Sequence, residues 1–199
     1  MKLHSDSFDN RAPIPAEFAL GAPGGFGGNR NPHLAWEDVP EGTRSLVLMC
    51  IDTDAPTDAS MAGRDDVKIP VDMPRTDFVH WVMVDIPADV RGIAAGSCSD
   101  GFEKGGKREP KGPAGSRQGR NDYTGWFAGD AAMAGEYLGY DGPYPPPNDL
   151  RTHRYFFRLF ALDVPRLEVP AGFTAGQAFR AMQGHVLAET AIHGTYSLA

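Results

Sequence analysis

This chain is poor in the features that would place it outside the folded, water-soluble proteins. Cysteine occurs only twice in 199 residues, as Cys50 and Cys98. They form no C-x-x-C pair and no metal-type spacing, which argues against a disulfide scaffold or a cysteine-built zinc site. Cys50, inside an apolar run, reads as a buried thiol, and Cys98 as a loop thiol. Long apolar runs are missing too, since the longest, "LVLMCI" at 46–51, is far short of a membrane span. The amino-terminal "MKLHSDSFDNRAPIP" offers no apolar core for a signal peptide, so a cytoplasmic protein without membrane insertion is expected. There is no basic excess either. A formal net charge of -7 opposes general binding to nucleic acid or anionic lipid, leaving room for a local pocket that holds one small anion.

What remains is ordinary for one folded domain. Hydrophobic residues make up 41% and charged residues 23%, enough for a sizeable core and too little charge for disorder. With 24 Gly and 17 Pro the chain is turn-rich, which favours an all-β architecture over a helix bundle. No repeat or linker divides it, so residues 1–199 are expected to form a single domain. Three apolar runs bounded by acids and prolines read as central strands: "SLVLMCIDTDAP" at 45–56, "FVHWVMVDIP" at 78–87 and "HRYFFRLFALD" at 153–163. Weaker strand signals lie at 7–10, 18–20 and 195–198. A helix is expected within "FTAGQAFRAMQGHVLAET", where Thr174 and Gln177 have capping-box spacing and Phe179, Met182 and Val186 share a face. Gly184 weakens its second half by about 1 kcal/mol relative to Ala.

Side chains alternate along a strand, so parity assigns faces. Leu46, Leu48, Cys50, Asp52 and Asp54 share one face of the first strand, and His80 goes with Phe78, Val82, Val84 and Ile86. His153 and Tyr155 go with Phe157 and Leu159, opposite Arg154 and Arg158. Each strand thus carries an ionisable group at or near one end of an apolar face. A single histidine so placed is more often a hydrogen-bonded core residue than a ligand. Convergent strand ends would instead make a pocket of two imidazoles, a phenol and one or two carboxylates. Imidazole N–H and phenol O–H donate to anionic oxygens, and Asp52 can fix a histidine tautomer and favour its charged form, which suits phosphate. Periodicity alone leaves both readings open. Asp54 is the secondary candidate, because an acid at a strand end before a proline turn often only caps backbone. The loop "GYDGPYPPPND" at 139–149 is a stiff connector or a pocket rim.

Other chemistries are less well supported. A metal-dependent hydrolase built on Asp52, Asp54, His80 and His153 has legitimate ligand types, yet the chain contains no H-x-x-x-H pair. No G-x-S-x-G occurs, and "GAPGGFGG" at 21–28 lacks the Lys-Ser/Thr of a phosphate loop. No cofactor is indicated. Two long polar connections cover 57–77 and 96–139. The second carries six basic residues and one acidic residue over 104–120, a solvated loop or a surface that steers an anion.

Taken together, "NPHLAWEDVP" (31–40), "DTDAP" (52–56), "FVHWVMVDIP" (78–87), "GPYPPP" (142–147), "THRYFFRLFALD" (152–163) and "GHVLAETAIHGTYSL" (184–198) resemble the phosphatidylethanolamine-binding protein family, in particular its bacterial Raf kinase inhibitor-like branch. These motifs are collinear and cover almost the whole chain. The resemblance implies an all-β sandwich of two antiparallel sheets with Greek-key connections and a few short peripheral helices. It also implies a non-enzymatic pocket for a phosphate-bearing headgroup or similar anion, formed by Asp52, His80, His153 and Tyr155, with Gly142, Tyr144 and Pro146 on its rim. Relatives in the bacterial branch imply a homodimer, while a regulated protein partner is not encoded in these motifs. Thr53 stands where the family's D-P-D-A-P has proline, and Tyr144 where bacterial relatives commonly have cysteine. A cis Ala55–Pro56 bond is a further expectation from the family.

Overall fold

Strands dominate the chain from end to end in a computed structural model that describes residues 1–199. In order they are β1 (Lys2–His4), β2 (Gly21–Ala22), β3 (Gly25–Phe26), β4 (Leu34–Glu37), β5 (Ser45–Pro56), β6 (Arg75–Pro87), β7 (Gly92–Ile93), β8 (Arg117–Gln118), β9 (His153–Leu162) and β10 (Val186–Tyr196). The helices are short: α1 spans Tyr123–Trp126 and α2 spans Ala175–Met182. The larger antiparallel sheet runs β10–β9–β5–β6–β8, the smaller β1–β4–β7, and β2 with β3 makes a separate ribbon. The spatial order β9–β5–β6–β8 is the 4-1-2-3 order of a Greek key, with β7 of the other sheet inserted in the path from β6 to β8.

The central strands read as apolar runs because both faces of the larger sheet are covered. On one face Leu46, Leu48, Cys50, Trp81, Met83, Tyr155, Phe157 and Leu159 pack against Leu34, Trp36 and Ile93 of the smaller sheet. On the other, Val47, Met49, Ile51, Val82, Val84, Phe160 and Leu162 are capped by Leu167, Phe173 and the Ala175, Ala178 and Met182 stripe of α2. The sandwich architecture expected from the sequence is therefore the one observed, with a helix layer added on the outer face.

Several local expectations are corrected. The capping box of Thr174 and Gln177 starts α2 as anticipated, but the helix ends at Met182 and Gly184 adopts φ +81°. Glycine takes that left-handed turn without steric cost. Val186 accordingly opens β10 at 44% exposure instead of continuing the helical face. No strand forms at 7–10 or 18–20: Phe18 enters the core from a single 3-10 turn, Ala16–Phe18, and Phe8, Ala19 and Leu20 from irregular backbone. Cys98 is buried like Cys50. The basic segment is not simply solvated: Lys107 is buried against Asp141, and Arg117 pairs with Asp85. No peptide bond is cis, Ala55–Pro56 included.

Candidate ligand-binding cleft

The ends of β5, β6 and β9 meet at one edge of the larger sheet, where Asp52 lies opposite both Phe78 and Tyr155. Parity alone would put His80 on the face of Val82 and Val84. The register shows why it is elsewhere: Cys50 pairs with Trp81 and Ile51 with Val79, so His80 is the extra residue of a β-bulge. A bulge re-aims the side chain it carries. The His80 ring thus packs on Phe78, Tyr123 and Tyr155, at centroid distances of 5.1, 5.4 and 5.2 Å. Its Nδ1 lies 2.8 Å from the carbonyl oxygen of Asp141. A carbonyl only accepts, so Nδ1 carries the proton and Nε2 is a lone pair in the neutral ring. Burial pushes the His80 pKa down and outweighs the opposing fields of Asp52, Asp122 and Asp141.

His153 lives under the opposite regime. Its Nδ1 lies 2.7 Å from Asp52 Oδ2 and its Nε2 3.0 Å from Asp149 Oδ2. Although burial disfavours its charge, the hydrogen bonds and fields of Asp52 and Asp149 raise its pKa overall, favouring the imidazolium. Arg75 completes the row by gripping Asp149 through two guanidinium nitrogens. Despite burial, which opposes ionisation, Arg75, the Arg151 backbone N–H and His153 hold the Asp149 pKa low. The row Asp52–His153–Asp149–Arg75 therefore alternates in sign, and neither imidazole nitrogen is left for a ligand.

Between these two histidines opens a cleft of about 390 Å³. Asp52, His80 and His153 supply its charged and imidazole groups, and Phe78, Tyr123, Trp126, Phe127, Tyr144–Pro147 and Ala55–Pro56 line the rest of it. The proline-rich rim is anchored from behind. The buried carboxylate of Asp141 accepts from Lys107 Nζ at 2.6 Å and from Asn29 and Asn121 Nδ2 at 2.8 Å each. The Asp141 backbone N–H in turn donates to the His80 carbonyl at 3.1 Å, tying the rim to the bulge.

Of the residues anticipated from sequence, Asp52, His80, His153, Tyr144 and Pro146 line the cleft. Tyr155 does not reach its surface. It is fully buried behind the two histidines, its hydroxyl has no hydrogen-bond partner in the chain, and burial together with the Asp52 field holds it protonated. Gly142 is also behind the lining, its carbonyl accepting from Tyr123 Oη at 2.9 Å and its N–H donating to Asn29. Asp54 is turned away from the cleft, against the parity expectation. The β5 register shifts between Asp52 and Ala55, and the Asp54 carboxylate pairs with Arg154 at 2.8 Å and Arg151 at 3.0 Å. The four residues weighed as a metal set therefore do not converge, and no group of three His, Cys, Asp or Glu has metal-holding geometry. Sequence reading missed Asp149, Arg75 and the Asp141 cluster. Asp149 stands four residues before His153, at the end of the 139–149 loop, and the aromatics of "DYTGWF" in a polar connection were a second usable signal.

Comparison with known proteins finds relatives along the whole chain. The family model described as "Phosphatidylethanolamine-binding protein" matches residues 4–197. The chain is 33% identical over 197 residues to the UPF0098 protein YbhB of Escherichia coli, covering 99% of this chain and all of that one. It is 34% identical to a UPF0098 protein of Aquifex aeolicus, covering 98% and 88% of the two chains. Among solved structures it is similar to E. coli YbcL, described as a new member of the mammalian PEBP family, with a TM-score of 0.74, 26% identity and coverage of 100% and 98%. A putative phosphatidylethanolamine-binding protein homologue, CT736 of Chlamydia trachomatis, aligns with a TM-score of 0.66 at 28% identity, covering 98% and 96%.

Proposed function

The chain belongs to the phosphatidylethanolamine-binding protein family, and from that premise we propose that its cleft binds a small phosphate-bearing or similar anionic ligand without transforming it. The observation that carries this reading is the cleft itself. Its volume of about 390 Å³ falls in the range of small-molecule sites, and its apolar walls end on a few convergent polar groups. The pocket residues are Asp52, His80 and His153 at the polar end, Tyr155 and Gly142 as their support, and Tyr144 and Pro146 at the rim. A binding role fits the commitments of these groups. His153 has no nitrogen free to act as a base, and Cys50 is sealed in the core with its pKa pushed up by burial. A homodimer, cytoplasmic residence and a regulatory partner belong to the same proposal; no helix of the chain is long and apolar enough to cross a membrane.

A histidine-resolved NMR titration with inorganic phosphate, repeated with phosphoethanolamine, tests it. Saturable shifts are expected at His80 and His153, with His4, His33, His185 and His193 unmoved. Silence at both cleft histidines would remove the proposal.

A further inference from the structure

Resting on that anion-binding reading, a charge inventory of the polar end narrows the ligand. Every cation near it is already committed: His153 to Asp52 and Asp149, Arg75 to Asp149, and Arg151 and Arg154 to Asp54. Lys107, behind the rim, is bonded to Asp141. What faces the cleft instead is acceptor capacity. The carboxylate of Asp52 takes one hydrogen bond on each oxygen, from His153 and from the Asp54 N–H, so each keeps a lone pair. His80 Nε2 has no partner in the chain and is not sealed from solvent, while Nδ1 is held by the Asp141 carbonyl.

We propose that this cleft selects its anion by protonation state, taking a phosphate monoester as the hydrogen-bearing monoanion whose P–OH donates to His80 Nε2 or Asp52, and rejecting an anion that brings no proton unless His80 itself takes one up. A fully ionised dianion meets the Asp52 carboxylate and a lone pair. A P–OH meets two acceptors, and its bond to the Asp52 carboxylate is of the charge-assisted kind, short and strong. The groups facing His80 are Asp52 on β5, Asp122 ahead of α1, Tyr123 on α1, Asp141 on the rim and Tyr155 on β9. The three carboxylates favour an imidazolium, but burial outweighs them, so the resting ring is neutral. Phosphate and sulfate are close in size and shape, so discrimination between them reports the proton.

Calorimetric titration of the whole chain with methyl phosphate and with sulfate, at pH 5.5, 6.5, 7.5 and 8.5, tests this. The second ionisation of a phosphate monoester lies near pH 6. Methyl phosphate affinity is therefore expected to fall about tenfold per pH unit above 7, with one proton taken up per anion bound, read from buffers of different ionisation enthalpy. Sulfate at pH 7.5 is expected to bind at least about tenfold more weakly than methyl phosphate, a gap of about 1.4 kcal/mol. His80→Gln, whose amide can donate to an anion that brings no proton, is expected to narrow the gap between sulfate and methyl phosphate, with the Asp52 carboxylate keeping part of it. Equal wild-type affinities for the two anions at pH 7.5, or a methyl phosphate affinity that does not change with pH, would overturn the inference and leave the anion site standing. Heat from ethylammonium but from neither anion would overturn both, making the polar end a cation site. No heat from any of the three would likewise overturn both.

Discussion

The two sides of the cleft hold a histidine each, and both rings are nearly sealed: His80 is 2% exposed and His153 is 1% exposed. Their protonation tendencies nevertheless diverge. His80 faces a backbone carbonyl and aromatic rings, so desolvation decides and favours the neutral ring. His153 sits between two carboxylates in hydrogen-bond contact, so pairing decides and favours the charged one. Burial is thus nearly common to both, and the partner at the ring nitrogens sets the sign. The same difference separates their roles. The His153 side is a closed row of alternating charges, and the His80 side is where the chain leaves a polar atom without a partner.

The largest way to break this comparison is to cut the anchor behind His80. Lys107→Met leaves the buried Asp141 carboxylate without its cation, and removing one partner of a buried pair costs about 3–5 kcal/mol. Urea unfolding is expected to show that loss, with binding in the surviving folded fraction weakened because the rim and bulge are tied through Asp141. A fully stable Lys107→Met variant would show that the rim does not depend on this cluster.

His153→Gln addresses the other side. A histidine whose pKa is raised in the folded state contributes stability that is fully present below the unfolded value near 6.5 and is lost as pH rises through the folded value. The wild type is therefore expected to exceed the variant by about 2 kcal/mol near pH 6, with the gap closing at alkaline pH in urea titrations. His80, with its lowered pKa, carries the opposite sign: its contribution is present above pH 6.5 and declines as pH falls. A wild-type advantage that instead grew with pH would reverse the assignment of the two rings.

The smallest effect is expected at Asp54. Its carboxylate is buried, but Arg154 and Arg151 on it are both partly exposed and an asparagine keeps part of the hydrogen bonding, so Asp54→Asn should cost about 1.5 kcal/mol. It should leave phosphate titration of His80 unchanged. A large loss of binding would mean that Asp54 acts on the cleft after all.

The central strands and the cap of α2 were legible because each is local. Apolar runs ended by Pro56, Pro87 and Asp163 needed no long-range information, nor did the Thr174–Gln177 spacing. β10 was obscured because "GHVLAET" continues a helical stripe, and only pairing with β9 makes it a strand. For the cleft, sequence parity correctly grouped His153 with Tyr155. It failed at His80 and Asp54, because a bulge and a register shift are agreements between two strands and leave no mark in one of them.

The sequence by itself determined the strand-rich architecture and the residue types available at three strand ends, since periodicity and turn chemistry act over a few residues. Only the tertiary structure decided which of those residues meet. It set His153 between Asp52 and Asp149, drew Asp54 away to its arginines, buried Tyr155 and left His80 Nε2 free. Those outcomes depend on distances between groups up to about a hundred residues apart in the chain, such as the pairing of Asp52 with His153, and electrostatics and burial respond to distance in space.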